Sequence, residues 1–326
     1  MAEPDFAIYG TSLMAGLLAG LLARDHGRSV VRVGRRPSAQ RLPRALPLAL
    51  PLATRPQSWR LIRAAESEIA AVLGSAGVGE SLGFTEAALF ADLPGTTGAI
   101  DHLAHVALGY GHQLRRLPGG WSFRRVPLID REQVEARMPD WLRAAGVVLH
   151  EEGPVAARRI VLADDSSILE QLPEAQRPAG LRVQAMTATL LAAPRGFDIP
   201  VQRFADRGVF LARHTPGTVL ALVAGGGEVE ERLASALPPP FPVRRLATTR
   251  YRRLVSLDGA PVIGAPADGP FIATGLGSCA AFLAPGLARH LAGTAGEAEA
   301  AWFAAHAPDA ARSAIADIAA LAELAP

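Results

Sequence analysis

The chain has 326 residues, of which 49% are hydrophobic and 20% charged, so its composition is that of a globular protein and excludes a disordered chain. All 33 basic residues are arginine, which excludes any mechanism that needs a lysine base or a lysine Schiff base. The formal net charge is only +2, and no long basic run with interleaved aromatic residues occurs, which argues against a nucleic-acid partner. The length suits two modest domains or one two-lobed domain.

The cysteine content and the N-terminal segment bear on the cellular compartment. Cys279 is the only cysteine, which excludes an intrachain disulfide and a cysteine-cluster metal site. The apolar stretch from Leu13 to Ala23 follows acidic rather than basic residues and is too short to span a bilayer. We therefore expect a soluble, cytoplasmic protein that does not associate with a membrane.

The N-terminal segment has the pattern of a βαβ unit. Phe6–Tyr9 is a short apolar run that ends at Gly10, as in a buried parallel strand. Residues 11–24 are rich in leucine and alanine and lack proline, which predicts a helix that ends near Gly27. Ser29–Val33 is a β-branched run, so the order is strand, tight turn, helix and strand.

The middle of the chain is less regular. The prolines of residues 37–56 recur too often for a helix or a sheet interior, and they predict an extended loop. A helix is predicted over 58–73, and a mixed segment over 75–120. Asp130 begins a short amphipathic helix, in which it is placed to form a capping box with Gln133.

The second half of the chain returns to regular elements. Ala157–Ala163 predicts another buried strand, and the alternating apolar residues and turns of 181–224 predict an antiparallel sheet. A short helix is predicted over 228–237. Phe271–Thr274 predicts a strand, which a glycine-containing turn joins to a helix from about Ala280 to Ala292.

The turn after the first predicted strand is a candidate site for a diphosphate. Such a group needs backbone N–H groups and a helix N-terminus directed at it, which is why glycines recur there at G-x-G-x-x-G spacing. This chain keeps the first glycine, has serine in place of the second and alanine in place of the third. The flanking strand and helix favour a nucleotide site; the alternative is a βαβ turn that binds no nucleotide. The candidate cofactor-binding residues are Gly10, Thr11, Ser12, Leu13, Met14 and Ala15.

The end of the second predicted strand bears on ribose recognition. An acidic residue usually follows this strand and binds the ribose hydroxyls. Gly34 occupies that position here, and Arg35 and Arg36 come next. An arginine there can pair with a ribose 2′-phosphate, which leaves open an NADP-binding protein, or it can be solvated surface. Gly34, Arg35 and Arg36 are further candidate cofactor-binding residues.

Two blocks near the C-terminus carry the most specific pattern. The first has the spacing Arg-x4-Asp-x2-Pro-x2-Gly, formed by Arg253, Asp258, Pro261 and Gly264. The second is a strand, a glycine turn and a helix that carries Ala-Pro, with matching residues at Gly275, Gly277, Ala284 and Pro285. Together these blocks resemble the flavin-binding end of the D-amino-acid oxidase (DAO) family, which includes glycine and sarcosine oxidases and D-amino-acid dehydrogenases.

The resemblance implies a fold, a cofactor and an activity. The fold is the two-lobed, glutathione-reductase-like α/β flavoprotein fold, with a Rossmann-like nucleotide lobe and a mixed or antiparallel substrate lobe. The cofactor is FAD, and the activity is oxidation of an amine or amino acid by hydride transfer to the flavin. The implied nucleotide lobe comprises 1–80, 146–178 and 250–326, and the implied substrate lobe comprises 81–145 and 179–249.

The resemblance also assigns roles to residues. An arginine of the family holds the substrate carboxylate, and Arg253 and Arg250 are the candidates; the alternative is an arginine paired with Asp258 or another acid. The C-terminal turn would face the flavin, and the helix after it would direct its positive end at the N1/O2 edge of the ring. The candidate flavin-binding residues are Gly264, Gly275, Leu276, Gly277, Ser278, Cys279 and Ala280.

Two further residue types have alternative interpretations. Cys279 would either touch the flavin or be a small buried hydrophobic residue. His102, His105 and His112 cluster in the sequence, but no further ligand accompanies them, so no metal site is expected.

Departures from the family pattern lead to a second hypothesis. Ser12, Ala15 and Gly34 weaken the nucleotide site, and Asp164 and Asp165 replace small residues after the strand of 157–163. A chain with such changes can keep the fold for assembly with a catalytic partner subunit. The alternative to an FAD-dependent oxidoreductase is therefore a degenerate, non-catalytic or accessory subunit.

Overall fold

The computed structural model describes residues 3–34, 42, 48–49, 55–225, 228–237, 244–256, 258–266 and 269–311. Its strands form two sheets, one largely parallel and one largely antiparallel. This is the two-lobed α/β arrangement that the sequence predicts.

Six strands form the first sheet: β1 (Phe6–Tyr9), β2 (Val30–Val33), β7 (Val148–His150), β8 (Arg159–Leu162), β14 (Val262–Gly264) and β15 (Phe271–Thr274). Their order is β14-β15-β8-β1-β2-β7, and every neighbouring pair is parallel except β14 with β15. The central strand β1 is buried on both faces, which explains why it is a continuous apolar run.

Nine strands form the second sheet: β3 (Leu48–Ala49), β4 (Leu82–Phe90), β5 (Leu114–Leu117), β6 (Gly120–Ile129), β9 (Leu181–Ala192), β10 (Val201–Phe204), β11 (Val209–Thr215), β12 (Thr218–Ala224) and β13 (Arg245–Ser256). The order is β13-β9-β12-β11-β10-β4-β6-β3, and β5 pairs with β6. All pairs are antiparallel except β4 with β10.

The helices of the described chain are α1 (Leu13–Arg24), α2 (Pro56–Ser75), α3 (Pro94–Gly109), α4 (Arg131–Ala144), α5 (Asp165–Gln171), α6 (Val229–Ala236), α7 (Ala284–Ala292) and α8 (Glu297–Ala305). Side chains of β1 alternate between the two faces of its sheet. Phe6 and Ile8 join the large core with α1 and α7, whereas Ala7 and Tyr9 join a smaller core that includes Leu254 of β13. Strand β13 therefore connects the two sheets.

The predicted βαβ unit is confirmed as β1, α1 and β2. Helix α1 ends at Arg24, and Gly27 lies in the turn that follows, with a φ of +60°. The C-terminal helix begins at Ala284, later than predicted, because residues 277–279 form a 3-10 turn and Pro285 fits only the first turn of a helix.

Other sequence predictions are refined by the structure. The segment 75–120 contains α3, β4 and β5, which its small residues did not distinguish. Asp130 caps α4 by accepting from the N–H groups of Glu132 and Gln133, but the side chain of Gln133 donates to the Asp130 carboxylate rather than to its backbone, so the reciprocal half of the predicted capping box is absent. Most of the predicted loop at 37–56 lies outside the described residues.

The predicted lobes can be compared with the two sheets. Strand β13 begins at Arg245 and belongs to the second sheet along its whole length, so the predicted change of lobe at residue 250 falls inside a strand. The lobe boundaries stay predictions. Within the described ranges, no helix combines the length and the apolar character that a membrane span requires.

Candidate functional site

The carboxyl ends of four neighbouring strands meet at one edge of the first sheet. Gly10 follows β1, Gly34 follows β2, Asp164 lies just beyond β8, and Gly275 follows β15. In open parallel sheets, ligands bind outside this edge, where the order of the strands reverses. The sequence predicts the nucleotide site at the same place.

The turn after β1 requires glycine. Gly10 has a φ of +146°, which other residues rarely adopt. A Cβ atom at Gly10 would lie 2.8 Å from Oδ2 of Asp164 and 3.1 Å from the Cβ atom of Ala15. Because Gly10 has no side chain, the Asp164 carboxylate can lie directly against the backbone of this turn.

The Asp164 carboxylate connects the N-termini of two helices. Its Oδ2 accepts hydrogen bonds from the backbone N–H groups of Thr11 at 2.7 Å and Ser12 at 2.9 Å, at the start of α1. Its Oδ1 accepts from the N–H group of Ser167 at 2.9 Å and so caps α5. Both helix dipoles favour a negative charge at this position.

Ser12 occupies the place of the second glycine and is itself the N-cap of α1. Its Oγ accepts from the N–H group of Ala15 at 3.1 Å and lies 3.3 Å from the carbonyl oxygen of Ala163, to which it donates. In and just before the first turn of α1, the N–H groups of Thr11, Ser12 and Ala15 thus have acceptors within the chain, which are one carboxylate and one hydroxyl. Of the other predicted residues in this turn, Leu13 and Ala15 are buried in the core.

Two cavities open at this edge, and Asp164 lines both of them. The large cavity, of about 450 Å³, lies on the side of β2 and is bordered by Gly10, Thr11 and Gly34. Its described charged side chains are all acidic: Glu151, Glu152, Asp164 and Glu170. The small cavity, of about 250 Å³, lies on the side of β13 and β15.

Three basic residues line the small cavity. Arg131 of α4 and Arg252 and Arg253 of β13 line it, together with Ser12 and Met14 from the start of α1. Arg253 donates from Nε to Oε1 of Gln184 at 2.8 Å, which orients its guanidinium group. Arg131 is paired with Glu135, with 3.1 Å between the charged atoms.

Burial acts on two titratable groups of the small cavity. Burial raises the pKa of the Asp165 carboxyl, and hydrogen bonds from Thr274 Oγ1 at 2.5 Å and the N–H group of Leu254 at 3.1 Å only partly oppose it. Burial also raises the pKa of Tyr251 to about 12, although the positive charge of Arg253 opposes that shift. The raised pKa of Asp165 lessens the negative charge that faces the arginines of this cavity.

The C-terminal turn contributes backbone and small side chains to the small cavity. Gly275, Leu276, Gly277 and Ala280 line it. Two other predicted residues of the turn have partners elsewhere: the Ser278 hydroxyl accepts from Arg203 at 2.9 Å, and the buried Cys279 thiol donates to the carbonyl oxygen of Leu276 at 2.7 Å.

The remaining predicted residues are placed as follows. Gly264 ends β14, where an added Cβ atom would lie 2.8 Å from the ring of Pro308, and neither cavity includes it. Arg250 is exposed on β13 and lines neither cavity, so the structure separates it from Arg253. Arg35 and Arg36 lie outside the described residues.

The predicted histidines do not converge. His102 and His105 are exposed on α3, whereas the ring of His112 lies 4.8 Å from that of Trp59. In the part of the chain that the structure describes, no group of three or more His, Cys, Asp or Glu side chains is placed to hold a metal ion.

FAD is the cofactor that the resemblance implies, and its diphosphate requires the N–H groups at the start of α1. In this chain the N–H groups of Thr11 and Ser12 already donate to Asp164. A diphosphate beside this carboxylate would meet a like charge, and two unit charges 4 Å apart repel by about 4 kcal/mol near a protein surface. The residues present therefore do not fit the diphosphate of a dinucleotide in the position that the fold provides.

Sequence reasoning missed the position of Asp164, although the signal was visible. Asp164 and Asp165 were noted as replacements for small residues after a predicted strand. The strand order places Asp164 against a turn more than 150 residues earlier in the chain, with a separation of 153 residues from Thr11. Arg131 lies on a helix distant from both predicted blocks, and Tyr251 lies between the candidates Arg250 and Arg253, where a single tyrosine in a strand carries no signal of its own.

Comparison with known proteins agrees with this geometry at the level of fold. No family model matches the chain, and no curated protein matches it. Among solved structures, the chain is similar to a glycine oxidase from Bacillus cereus ATCC 14579, with 17% identity, 90% of this chain and 96% of that chain covered, and a TM-score of 0.67. An L-proline dehydrogenase from P. horikoshii matches at 13% identity over 94% of this chain and 97% of that chain, with a TM-score of 0.74.

An L-amino acid deaminase from Proteus myxofaciens is similar in the same way, at 10% identity over 93% of each chain with a TM-score of 0.69. These likenesses span nearly the whole length of both chains, so they concern the complete architecture rather than a shared nucleotide lobe. The resemblance to the D-amino-acid oxidase family is thereby confirmed in the fold: this chain has the two-lobed fold of the DAO-type flavoproteins.

Proposed function

We propose that this chain binds a small carboxylate of the amino-acid class in the small cavity, and that Arg253 holds the carboxylate. The observation that carries the proposal is the position of Arg253, which lines the small cavity together with Gly275, Leu276 and Gly277. Arg253 is also the residue that falls on the arginine of the family pattern, and it is one of the two arginines that the resemblance offers for the substrate carboxylate.

The chemistry of the small cavity supports an anionic ligand. A guanidinium group matches the two oxygens of a carboxylate in a bidentate geometry. Arg252 also lines the cavity, and burial raises the pKa of Asp165, which lessens its negative charge. A carboxylate that enters this cavity therefore meets a favourable potential.

The size of the cavity and the names of the structural neighbours narrow the ligand class. A volume of about 250 Å³ is below the range of about 300–1,000 Å³ that is usual for larger ligands, so it suits a small metabolite. The structural neighbours are named for glycine, L-proline and L-amino acids, all of which carry a carboxylate beside an amine.

The test is a binding measurement with glycine and L-proline, by calorimetry or by ligand-induced thermal shift. Arg253→Ala removes charge-assisted hydrogen bonds that contribute roughly 1.5–3 kcal/mol, so the affinity should fall by about 10- to 100-fold. Arg253→Lys keeps the charge but not the planar geometry, and it should retain only part of the affinity.

Two comparisons give the measurement its control. Arg195→Ala removes an exposed arginine from the turn between β9 and β10 and should leave the affinity unchanged. Arg250→Ala distinguishes the two arginines that the sequence predicts, because Arg250 lines neither cavity. Equal affinities in the Arg253→Ala variant and the unaltered chain would remove Arg253 from the carboxylate-binding role.

A second candidate function is FAD-dependent oxidation of the same ligand, as expected of a DAO-type oxidoreductase. It is supported by the fold and by the C-terminal turn, whose residues Gly275, Leu276 and Gly277 border the small cavity. It requires Asp164 to release the start of α1. The test is the visible absorbance of the purified chain: flavin that is released on denaturation supports oxidation, and a colourless chain that takes up no FAD contradicts it.

The position of Asp164 favours the non-catalytic alternative. A subunit that no longer holds a dinucleotide can keep the fold and its small-molecule cavity while a partner subunit performs the redox chemistry. Size measurement of the native complex purified from its source tests this alternative. A monomer that oxidises an amino acid by itself would contradict it.

A further inference from the structure

We propose that Asp164 is an internal substitute for the diphosphate of a dinucleotide, and that its carboxylate excludes FAD from the position that the fold provides. This inference goes beyond the proposed ligand, because it concerns the cofactor and the large cavity rather than Arg253 and the small one.

The hydrogen bonds of Asp164 are those expected of a bound anion. Oδ2 accepts from two successive N–H groups, those of Thr11 and Ser12, at the start of a twelve-residue helix. Oδ1 accepts from the N–H group of Ser167 at the start of α5. Since backbone donors and helix dipoles are what a nucleotide diphosphate uses in this fold, the carboxylate and the diphosphate compete for the same groups.

The large cavity provides a second, independent observation. The adenosine diphosphate half of a dinucleotide would lie there, beside Gly10 and Gly34. Its described charged residues are Glu151, Glu152 and Glu170 in addition to Asp164, and no described residue of its lining is basic. Negative potential therefore extends beyond the single carboxylate and opposes a phosphate on this side.

The carboxylate is integral to the local structure. Asp164 forms a reciprocal capping box with Ser167, in which the Asp164 N–H group lies 3.3 Å from Ser167 Oγ. Movement of the Asp164 carboxylate away from Thr11 and Ser12 would leave these two N–H groups without their acceptor and would disturb the cap of α5. A dinucleotide must therefore break an existing network before it can bind, whereas a glycine or alanine at this position would leave the donors available.

Direct titration tests the inference with two probes, FAD and ADP, the second of which carries the diphosphate without the flavin. The unaltered full-length chain, Asp164→Ala and Asp164→Asn are compared by equilibrium dialysis and by quenching of flavin fluorescence. Asp164→Asn keeps an acceptor for the helix caps and removes the charge, so it covers the case in which Asp164→Ala does not fold. Asp140→Ala removes an exposed carboxylate of α4 and controls for the change in net charge.

The expected result is that the unaltered chain and Asp164→Ala differ by at least about tenfold in affinity for both FAD and ADP, the variant binding more tightly, and that Asp140→Ala behaves as the unaltered chain. If the unaltered chain holds FAD on purification, or binds it as tightly as the variants, the inference is overturned. It is equally overturned if neither folded Asp164 variant gains affinity. Binding of glycine or L-proline is measured without FAD, so failure of the proposed ligand would leave this result unaffected.

Discussion

The two cavities at the carboxyl edge of the first sheet share one wall, the Asp164 carboxylate, yet they differ in charge. The large cavity has an acidic lining, and the small cavity is lined by Arg131, Arg252 and Arg253. In a dinucleotide-binding protein of this fold, one ligand would extend across both. In this chain a carboxylate divides the space at the position where the diphosphate would connect the two halves.

The comparison shows which features of a binding site the backbone preserves and which the side chains change. The N–H groups at the start of α1 belong to the backbone, so they persist whatever residues follow Gly10. What they bind is decided by the side chain that approaches them, and here it is Asp164. A fold can therefore keep the geometry of an anion site while an internal group occupies it.

Among substitutions that disturb the Asp164 carboxylate between the two cavities, Gly10→Ala is expected to have the largest effect on stability. The added Cβ atom would lie 2.8 Å from Oδ2 of Asp164, in a backbone conformation that alanine rarely adopts. We expect a loss of roughly 2–3 kcal/mol in the free energy of unfolding, measured by denaturant titration.

Gly98→Ala is the matched control for Gly10→Ala, because Gly98 is exposed on α3 and an added Cβ atom there meets no neighbour. It should be neutral or stabilise by about 0.5–1 kcal/mol. Equal stabilities of Gly10→Ala and the unaltered chain would mean that Asp164 does not depend on the close approach at Gly10.

A smaller effect is expected from Asp165→Asn, and it concerns the charge of the small cavity. Because burial raises the pKa of Asp165 in the folded chain, the folded state holds this proton more tightly than the unfolded state. The protonated carboxyl therefore contributes fully to the free energy of unfolding below the ordinary pKa of about 3.9. This contribution is lost as the pH rises through the raised pKa of the folded chain.

The stability of the unaltered chain relative to Asp165→Asn should accordingly fall as the pH rises from about 4 toward neutrality. Denaturant titrations of both chains across this range measure the difference, and the exposed Asp140→Asn provides a control. If the difference in stability between the two chains does not change with pH, the pKa of Asp165 is not raised in the folded chain. The small cavity would then carry one more negative charge, and the two cavities would differ less in charge than proposed.

The smallest effect is expected from Ser12→Gly, which restores the second glycine of the nucleotide pattern. Glycine is a tolerable N-cap, so the loss of the hydrogen bonds to Ala15 and Ala163 should reduce the free energy of unfolding by only about 0.5 kcal/mol. Thermal unfolding measures this change. A loss of several kcal/mol would show that the hydrogen bonds of Ser12, and not those of Asp164 alone, stabilise the start of α1.

Much of the fold was predictable from local patterns. The apolar run of β1, the helix α1 and the β-branched run of β2 each carry their own periodicity, and together they specify a βαβ unit. The spacing of Arg253 to Gly264 and of Gly275 to Pro285 likewise indicated the strand and turn that border the small cavity. In the mixed segment of 75–120, alanine and glycine are compatible with either state, so α3 was not distinguished.

The sequence by itself determined that this chain has a two-lobed α/β fold and that it lacks lysine chemistry, and it named the glycine turns and an arginine as candidate site residues. Only the tertiary structure decided what lies between them. The contact of Asp164 with Thr11 and Ser12 depends on the parallel pairing of β1 with β8, and the placement of Arg253, but not Arg250, at the small cavity depends on where β13 lies against the first sheet. Contacts between residues that are far apart in the chain have no local periodicity, because the order of the strands creates them.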